Sequence, residues 1–213
     1  MKHQILVTAG NTWAPLDKVR VITNIFSGET GLTIAHKLAK KGFKVSVLLG
    51  DIRINLKKFR HKNLKIIRAL TFKAFYKKIK KEVKKQKYSV LIHAAAISDF
   101  YLKKPLKGKI KSKKKLKLKL NPTPKIADKI KKWDPDIILI KFKLEADIKK
   151  KKLLKTALKS KDSSKANLVI ANKLPCKKQH VFYLIKSKKQ YVKLKGKKTL
   201  AKKLAKILKK ELT

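Results

Sequence analysis

Short apolar runs alternate with amphipathic helical segments along this chain, and the alternation limits the folds available to it. Each run is rich in Val, Ile, Leu or Ala and has the length of a buried strand. Between the runs, apolar residues recur at helical spacing, as at Leu32, Ala35 and Leu38. Because strands joined by helical crossovers form parallel sheets, the order predicts an α/β fold with a doubly wound, mostly parallel sheet. The predicted strands are residues 5–7, 45–49, 64–67, 88–96, 137–142 and 167–170, and the predicted helices are residues 32–39, 72–87, 126–133, 147–160 and 200–212.

The second half of the chain also contains less regular segments. Residues 109–111 and the alternating Leu116, Leu118 and Leu120 place apolar side chains at every second position, with lysines opposite. This period is typical of extended chain and predicts an extended arm or an edge hairpin. Residues 121–124, Asn-Pro-Thr-Pro, predict a rigid turn before the next helix. Residues 181–185 and 191–194 predict a hairpin.

The charge of the chain is extreme, with 61 Lys and Arg residues against 12 Asp and Glu. Such a surface attracts nucleic acids and phosphorylated small molecules alike. Only four of the basic residues are arginines, at positions 20, 53, 60 and 68. Sequence-specific DNA recognition relies on the bidentate Arg fork, whereas Lys is a hydrated point charge that suits a solvated surface. The composition therefore favours a lysine-rich surface, and any nucleic-acid binding is expected to be non-specific.

Length and composition also bound the organisation of the chain. Hydrophobic residues make up 43% of it, and no Gly/Ser/Pro-rich seam divides it, so one domain spanning residues 1–213 is expected. The single cysteine, Cys176, excludes an intramolecular disulfide and a Cys-based zinc site, as expected in a reducing cytoplasm. We find no targeting pattern and no apolar stretch near the roughly 20 residues of a membrane span, so a cytoplasmic protein without membrane contact is expected.

Two loops of small residues follow the first predicted strand, and the second of them opens the first helix. A helix N-terminus with glycines lets backbone N–H groups approach a phosphate and adds the positive end of the helix dipole. The loops therefore predict a nucleotide-binding site, although a turn followed by a helix cap would explain the same glycines. Their spacing is not the G-x-G-x-x-G pattern, because residues 13–26 are inserted between them. The loop residues concerned are Gly10, Asn11, Thr12, Ser27, Gly28 and Gly31.

The inserted segment raises the specificity of this pattern. Residues 15–31, PLDKVRVITNIFSGETG, resemble the signature of the phosphopantothenate–cysteine ligases. Five further blocks resemble that family in the same order along the chain. They are HAAAISDF at 93–100, KIKS at 109–112, TPKI at 123–126, FKLE at 142–145 and NLVIAN at 167–172. The short chain and the forms of these blocks are similar to the stand-alone bacterial type, without a flavin decarboxylase domain.

The resemblance implies a Rossmann-like fold and a two-step ligation in coenzyme A synthesis. The carboxylate of 4′-phosphopantothenate would attack the α-phosphate of CTP or ATP, with Mg²⁺ assistance, giving an acyl-nucleotide and pyrophosphate. The amine of L-cysteine would then displace the nucleotide monophosphate. Both steps need charge neutralisation around phosphates and a positioned carbonyl more than a strong base. The resemblance also implies a homodimer, in which the arm around residues 109–120 reaches the neighbouring subunit.

Three residues receive a catalytic role from the resemblance. Asn24 matches the asparagine that holds the acyl-nucleotide through its side-chain amide. Arg20 matches a neighbouring basic position suited to a carboxylate or a phosphate. Lys109 matches the lysine on a mobile arm that reaches the triphosphate. Without the flanking match, Asn24 would be interpreted as a turn or N-cap asparagine and the two cations as surface residues.

Further positions match segments that contact the nucleotide or the substrates, and no metal ligand is assigned. Members that bind CTP carry two lysines before the Ala-Asn motif; here Lys159 aligns with the first, and Ser163 or Ser164 falls at the second. Asn11 and Lys173 also replace the commoner residues of the family at their positions. The expected nucleotide- and substrate-binding residues are Gly10, Asn11, Thr12, Ser27, Gly28, Gly31, Ala95, Asp99, Pro124, Lys125, Ile126, Ala127, Phe142, Lys159 and Asn172.

Two other functions compete with the ligase. A basic protein that associates with nucleic acids on a nucleotide-binding fold would place its lysines on one face beside exposed aromatic side chains. A dinucleotide-dependent reductase would need a tight G-x-G-x-x-G loop and an acidic residue after the second strand. Asp51 lies near that position, but the first glycine loop does not fit.

Overall fold

One eight-stranded sheet with five helices organises the computed structural model, which describes residues 4–111, 115–174 and 180–212. Cys176 lies outside the described residues. A single turn of 3₁₀ helix spans Leu56–Phe59. The strands are β1 (Gln4–Ala9), β2 (Ala14–Pro15), β3 (Val21–Ile22), β4 (Lys44–Leu49), β5 (Leu64–Arg68), β6 (Tyr88–His93), β7 (Phe100–Tyr101), β8 (Asn121–Pro122), β9 (Ile138–Ala146), β10 (Leu168–Leu174), β11 (Val181–Ile185) and β12 (Tyr191–Lys195). The helices are α1 (Glu29–Lys40), α2 (Phe72–Lys84), α3 (Ala127–Trp133), α4 (Lys150–Ser164) and α5 (Lys197–Leu212).

The strand order of the sheet is that of a doubly wound fold. It runs β5-β4-β1-β6-β9-β10-β11-β12, and the first six strands in this order are parallel. Read along the chain, these six have the order 3-2-1-4-5-6 of a Rossmann sheet. The last two strands, β11 and β12, form an antiparallel hairpin at the edge. The predicted α/β class, the parallel sheet and this hairpin are confirmed.

Both faces of the sheet are covered by helices, because successive residues of a buried strand point to opposite faces. Ile5 and Val7 of β1 pack in the core beneath α1 and α5, whereas Leu6 packs in the core beneath α2, α3 and α4. All three side chains are fully buried. The near-continuous apolar runs of the sequence therefore reflect burial on two sides.

Several predicted boundaries differ from the structure. Strand β6 ends at His93 rather than at residue 96. Helix α2 ends at Lys84 rather than at residue 87, because Gln86 takes a left-handed conformation (φ 49°). Helix α4 begins at Lys150 rather than at 147, because Asp147 still donates its backbone N–H to the carbonyl of Leu174 (3.1 Å). Strands β9 and β10 also continue beyond their apolar runs, with polar residues pairing through Ala146 and Leu174.

The predicted arm is an excursion from the sheet and not a strand. Strands β7 and β8 pair with each other and close its base. Residues 102–111 and 115–120 contain no strand, and Leu116 and Leu120 are exposed. The alternation of leucine and lysine there does not produce a β-ladder, because no neighbouring strand pairs with it among the described residues.

No helix in the described ranges has the length and the apolar character needed to cross a membrane.

Candidate functional site

The order of the sheet reverses at β1, whose neighbours are β4 on one side and β6 on the other. Ligands of doubly wound sheets bind outside the carboxyl ends of the strands at this switch point. The loops that leave β1 and β6 are joined here by backbone hydrogen bonds, from Ala96 N–H to the Gly10 carbonyl (2.9 Å) and from Thr12 N–H to the Ala96 carbonyl (3.2 Å). The Thr12 hydroxyl also accepts the Ser98 N–H (2.8 Å). These bonds fix the rim of the switch point.

A cleft of about 680 Å³ opens beside this rim. It lies between the end of β6, the start of α3, the end of β9 and the middle of α4. The structure therefore brings together residues that are more than a hundred positions apart in the chain. The sequence-predicted residues that line the cleft are Asn24, Ala95, Asp99, Pro124, Lys125, Ile126, Ala127, Phe142 and Lys159, and Ser163 lies with them.

Asn24 lies at the cleft with its side chain held across the rim. It belongs to the inserted segment, and its Nδ2 donates to the Ala96 carbonyl at 3.1 Å. The N-cap of α1 is Gly28, so Asn24 does not cap a helix. One amide N–H and the amide oxygen have no hydrogen-bond partner among the described residues, and both are therefore available to a ligand.

Lysines and carboxylates share the outer walls of the cleft. Lys125 forms an ion pair with Asp99 (2.5 Å), and Lys143 forms one with Glu145 (2.9 Å). Lys159 is exposed and has no carboxylate within 4 Å in the part of the chain that the structure describes. Ser163 lies one turn further along the same helix, whereas Ser164 is buried and donates to the Ser160 carbonyl (2.8 Å). Of the two aligned serines, Ser163 is therefore the one that lines the cleft.

Arg20 and Lys109 lie outside the lining of this cleft, where the inserted segment meets the arm. Arg20 Nη1 donates to Asp17 Oδ2 (2.6 Å) and to the Ile110 carbonyl (3.2 Å). The carboxylate of Asp17 also accepts the N–H groups of Ile110 (2.9 Å), Val19 (2.8 Å) and Arg20 (2.7 Å). These hydrogen bonds, led by that of Ile110, hold the pKa of the Asp17 carboxyl well below its usual range. The exposed Lys109 precedes Ile110, whose N–H and carbonyl groups are held by Asp17 and Arg20.

The predicted glycine loops pack against each other and do not line the cleft. Gly28, the N-cap of α1, has a φ of 81°, and a Cβ there would lie 2.6 Å from Ile52 Cγ2. A Cβ on Gly31 would lie 2.7 Å from Ala9 Cβ, and one on Gly10 would lie 2.5 Å from the Asp51 carbonyl oxygen. The glycines therefore allow the start of α1 to approach the end of β1, which is a packing requirement.

The other predicted residues beside these loops make local contacts. The Asn11 amide is buried and donates to the Phe26 carbonyl (2.5 Å), which fixes the end of the inserted segment. The Ser27 hydroxyl accepts the N–H of Glu29 (3.3 Å) at the start of α1. Asn172 pairs in register with Leu144, a lining residue of the cleft, but does not itself line it.

Two functional candidates were missed by the sequence reasoning. His93 and Lys141 both line the cleft, and both are nearly buried, at 9% and 7% exposure. Burial, together with the neighbouring Lys141 charge, lowers the pKa of His93 to about 4. Burial likewise lowers the pKa of Lys141, against the opposing effect of Asp128. The sequence contained a sign of Lys141, because it is a lysine within the apolar run of residues 137–142.

Fold and site together define a Rossmann-like α/β protein with a cleft at its switch point that contains four lysines and three carboxylates. The family model described as "DNA/pantothenate metabolism flavoprotein C-terminal domain" matches residues 1–212. The chain belongs to this family.

Individual relatives agree with this assignment. The chain is 35% identical over 171 residues to the coenzyme A biosynthesis bifunctional protein CoaBC of Thermococcus kodakarensis, covering 80% of this chain and 41% of that protein. The crystal structure of the DNA/pantothenate metabolism flavoprotein from Streptococcus pneumoniae superposes with a TM-score of 0.88 at 30% identity, covering 98% of this chain and 99% of that one. A Cab2 mutant in complex with phosphopantothenate-cysteine shares the fold at 20% identity, with a TM-score of 0.80 over 98% of this chain and 87% of that one. The chain spans about two fifths of the length of the curated CoaBC proteins of Thermococcus kodakarensis and Methanocaldococcus jannaschii that it matches.

Proposed function

We propose that this chain is a phosphopantothenate–cysteine ligase of coenzyme A biosynthesis, driven by CTP or ATP through an acyl-nucleotide intermediate. The observation that carries the proposal is the Asn24 amide, which the inserted segment places at the switch-point cleft. The family supports it, because its curated relatives are named for coenzyme A biosynthesis and a protein of the same fold binds phosphopantothenate-cysteine.

The chemistry asks for donors and cations more than for a base. In the first step a carboxylate oxygen bonds to the α-phosphorus and pyrophosphate leaves. In the second step the cysteine amine bonds to the acyl carbon, the nucleotide monophosphate leaves, and the amine loses a proton. The free Asn24 N–H is suited to hold the acyl-nucleotide, and the cations of the cleft walls are suited to neutralise phosphate charge.

We propose that Mg²⁺ enters as the complex of the triphosphate. The described residues contain no cluster of three or more His, Cys, Asp or Glu side chains that would hold a metal. Mg²⁺ at nucleotide sites is commonly held by substrate phosphates, waters and one or two carboxylates. Asp128 lines the cleft and is the carboxylate there without an ion pair among the described residues, so it is the candidate for such a contact.

We also propose that the protein works as a homodimer joined through the arm and the inserted segment. Most of the exposed large hydrophobic side chains lie on these two segments, namely Val19, Val21, Ile25, Phe100, Leu106, Leu116 and Leu120. The arm is bound to the inserted segment by Leu106 N–H to the Leu16 carbonyl (2.8 Å) and by Lys18 N–H to the Gly108 carbonyl (3.1 Å). The two segments are thus joined and carry exposed apolar side chains together, and Lys109 lies on the arm.

Light scattering across a salt series tests the dimer. The net charge of +49 opposes association, so dimerisation should strengthen as salt is raised towards physiological ionic strength. A monomeric mass at every salt concentration, with full activity, would contradict this proposal.

The distribution of the lysines does not support the nucleic-acid alternative. Exposed lysines lie on α2 and α4 on one side of the sheet and on α5 on the other. The described lysines therefore do not form the single basic face that a dedicated nucleic-acid site would need.

The first half-reaction tests the proposed function and its nucleotide. With 4′-phosphopantothenate, Mg²⁺ and either CTP or ATP, but no cysteine, one equivalent of pyrophosphate per site should be released and an acyl-nucleotide should accumulate. The nucleotide that supports release is the co-substrate. Release that is independent of 4′-phosphopantothenate would indicate triphosphate hydrolysis and count against the ligase.

A further inference from the structure

Three polar side chains form a row across the central strands, on the face covered by α3 and α4. Thr8 of β1 is in register with His93 of β6, and His93 is in register with Lys141 of β9. Thr8 and His93 lie at the carboxyl ends of their strands, Lys141 lies near the middle of β9, and all three are almost completely buried. Buried polar groups in such strands are normally hydrogen-bonded. A donor of these three residues that has no partner in the protein is therefore one that a ligand could use.

The hydrogen bonds of Thr8 determine the tautomer of His93. The Thr8 hydroxyl accepts the N–H groups of Ala94 (3.1 Å) and Ala95 (3.0 Å), which occupies both of its lone pairs. Its own proton is therefore donated to His93 Nδ1, 2.9 Å away. Since burial keeps the ring neutral, its single proton lies on Nε2. His93 is thus held as an Nε2–H donor at the cleft, with no acceptor for that donor among the described residues.

Lys141 is a buried cation without an ion pair. Its Nζ donates to the Ser160 carbonyl at 3.2 Å, which uses one of three N–H donors. Within the described ranges no carboxylate lies within 4 Å of it. A buried charge without a counter-ion is unfavourable, and an anion bound in the cleft would supply the missing partner. Lys159 adjoins Ser160 on the same wall and adds positive charge beside it.

We propose that His93 Nε2–H and Lys141 Nζ form a two-donor subsite for a phosphoryl oxygen on the inner wall of the cleft. One donor is neutral and fixed, and the other is charged, so together they bind an anionic oxygen without the repulsion of two cations. The inference rests on the proposed function only for the origin of the phosphoryl group, which is the triphosphate or 4′-phosphopantothenate.

Calorimetric titration of four probes distinguishes the two sources. The probes are CTP, inorganic triphosphate, 4′-phosphopantothenate and pantothenate, each titrated at 0.3 M salt or above (roughly three times the ionic strength that gives a 10 Å Debye length) so that the surface lysines are screened. Lys141→Met should weaken at least one phosphate-bearing probe about tenfold or more and leave pantothenate unchanged. Loss of inorganic triphosphate and CTP binding assigns the subsite to the nucleotide, and loss of 4′-phosphopantothenate binding alone assigns it to that substrate.

Two further variants complete the comparison. His93→Gln keeps an amide donor near the position of Nε2 and should weaken the same probe less than Lys141→Met does. Lys65→Met removes one exposed charge from β5, away from the cleft, and should change each affinity less than twofold. Thermal midpoints establish that each variant is folded.

The imidazole nitrogens of the wild-type protein give a test that needs no variant. In ¹⁵N-labelled protein, Nδ1 of His93 should have the chemical shift of an acceptor and Nε2 that of a protonated nitrogen. The bound probe should shift Nε2 and leave Nδ1 nearly unchanged. An Nδ1–H tautomer would overturn the proposal.

The proposal also fails if no phosphate-bearing probe binds the wild type, or if all bind Lys141→Met within twofold of the wild type. Ligase turnover of the wild type is measured in parallel. If the wild type turns over and Lys141→Met binds every phosphate-bearing probe as the wild type does, the subsite is refuted and the proposed function stands. If the wild type binds the phosphate-bearing probes but shows no ligase turnover, the proposed function is refuted and the subsite stands.

Discussion

Replacing Asn24 with Asp separates a catalytic amide from a structural one. The carboxylate removes the N–H that is free to hold the acyl-nucleotide and places a negative charge against an anionic intermediate. The loss of one well-placed donor in an enzyme site costs about 3 kcal/mol or more of transition-state stabilisation, which is on the order of 100-fold in turnover. We therefore expect turnover to fall by two orders of magnitude or more.

The structure also gives the effect on stability. Asn24 Nδ2 donates to the Ala96 carbonyl at 3.1 Å, and Asp cannot make this bond. A neutral hydrogen bond contributes about 1 kcal/mol to the free energy of unfolding, and for a chain of this size that lowers the thermal midpoint by about 2–4 °C. A protein so slightly destabilised remains folded at assay temperature, so unfolding cannot account for the kinetic loss.

Steady-state pyrophosphate release and thermal unfolding, measured on the same preparation, check both numbers. Asn55→Asp is the matched control. Asn55 is exposed and accepts the Lys57 N–H (2.9 Å) at the start of the 3₁₀ turn, a position where Asp is an equally good cap. It should leave both quantities unchanged. Turnover of Asn24→Asp within about threefold of the wild type would refute the catalytic assignment.

Three more predictions concern the arm, the packing of α1 and the surface charge. Asp17→Asn should release the arm, so the backbone amide of Ile110 should exchange about tenfold faster or more in hydrogen-exchange experiments, and the KM for the triphosphate should rise. Folding lowers the pKa of the Asp17 carboxyl, so the contribution of its ionised form to stability is complete above about pH 5 and is lost progressively below it. The thermal midpoints of the wild type and Asp17→Asn should therefore converge as the pH is lowered. Gly31→Ala should lower the free energy of unfolding by about 2 kcal/mol in denaturant titration, because its Cβ would meet Ala9 Cβ at 2.7 Å and the Thr8 carbonyl at 2.9 Å. Nucleic-acid affinity should fall steeply with salt in fluorescence titration, with little preference among sequences.

Each of these has a contradicting outcome. An unchanged Ile110 exchange rate in Asp17→Asn would mean that the carboxylate does not anchor the arm. Gly31→Ala with wild-type stability would mean that α1 can move away from β1 without loss, since Ala is otherwise the better helix former. A marked sequence preference at physiological salt would favour the nucleic-acid function.

Elements of the fold were predictable where burial dominates local structure. The strands at residues 5–7, 45–49 and 64–67 and the helix at 200–212 follow from apolar periodicity, and the structure contains them within a few residues. Periodicity did not place the ends of β9 and β10, because polar residues such as Glu145 and Lys173 interrupt their apolar runs before the last residue. For residues 116–120 it left an extended arm and an edge hairpin open, and the structure has an arm without a partner strand among the described residues.

The site was predictable in its residues but not in its contacts. Of the fifteen positions assigned to nucleotide or substrate, eight line the cleft and seven do not, because motifs do not contain the tertiary distances that form the cleft. The bond of Asn24 to Ala96 joins positions 72 residues apart, and the anchor of Asp17 to Ile110 joins positions 93 apart. The structure adds a packing reason for Gly10, Gly28 and Gly31 that the sequence did not show, and phosphate binding by their loops stays a prediction.

The complete reaction tests the central claim most directly. Purified protein is incubated with 4′-phosphopantothenate, L-cysteine, Mg²⁺ and CTP or ATP, and the products are identified by mass spectrometry, with each component omitted in turn. We expect phosphopantothenoylcysteine, the nucleotide monophosphate and pyrophosphate in equal amounts, and none of the amide when any one component is absent. Folded protein that forms no amide with either nucleotide would contradict the account.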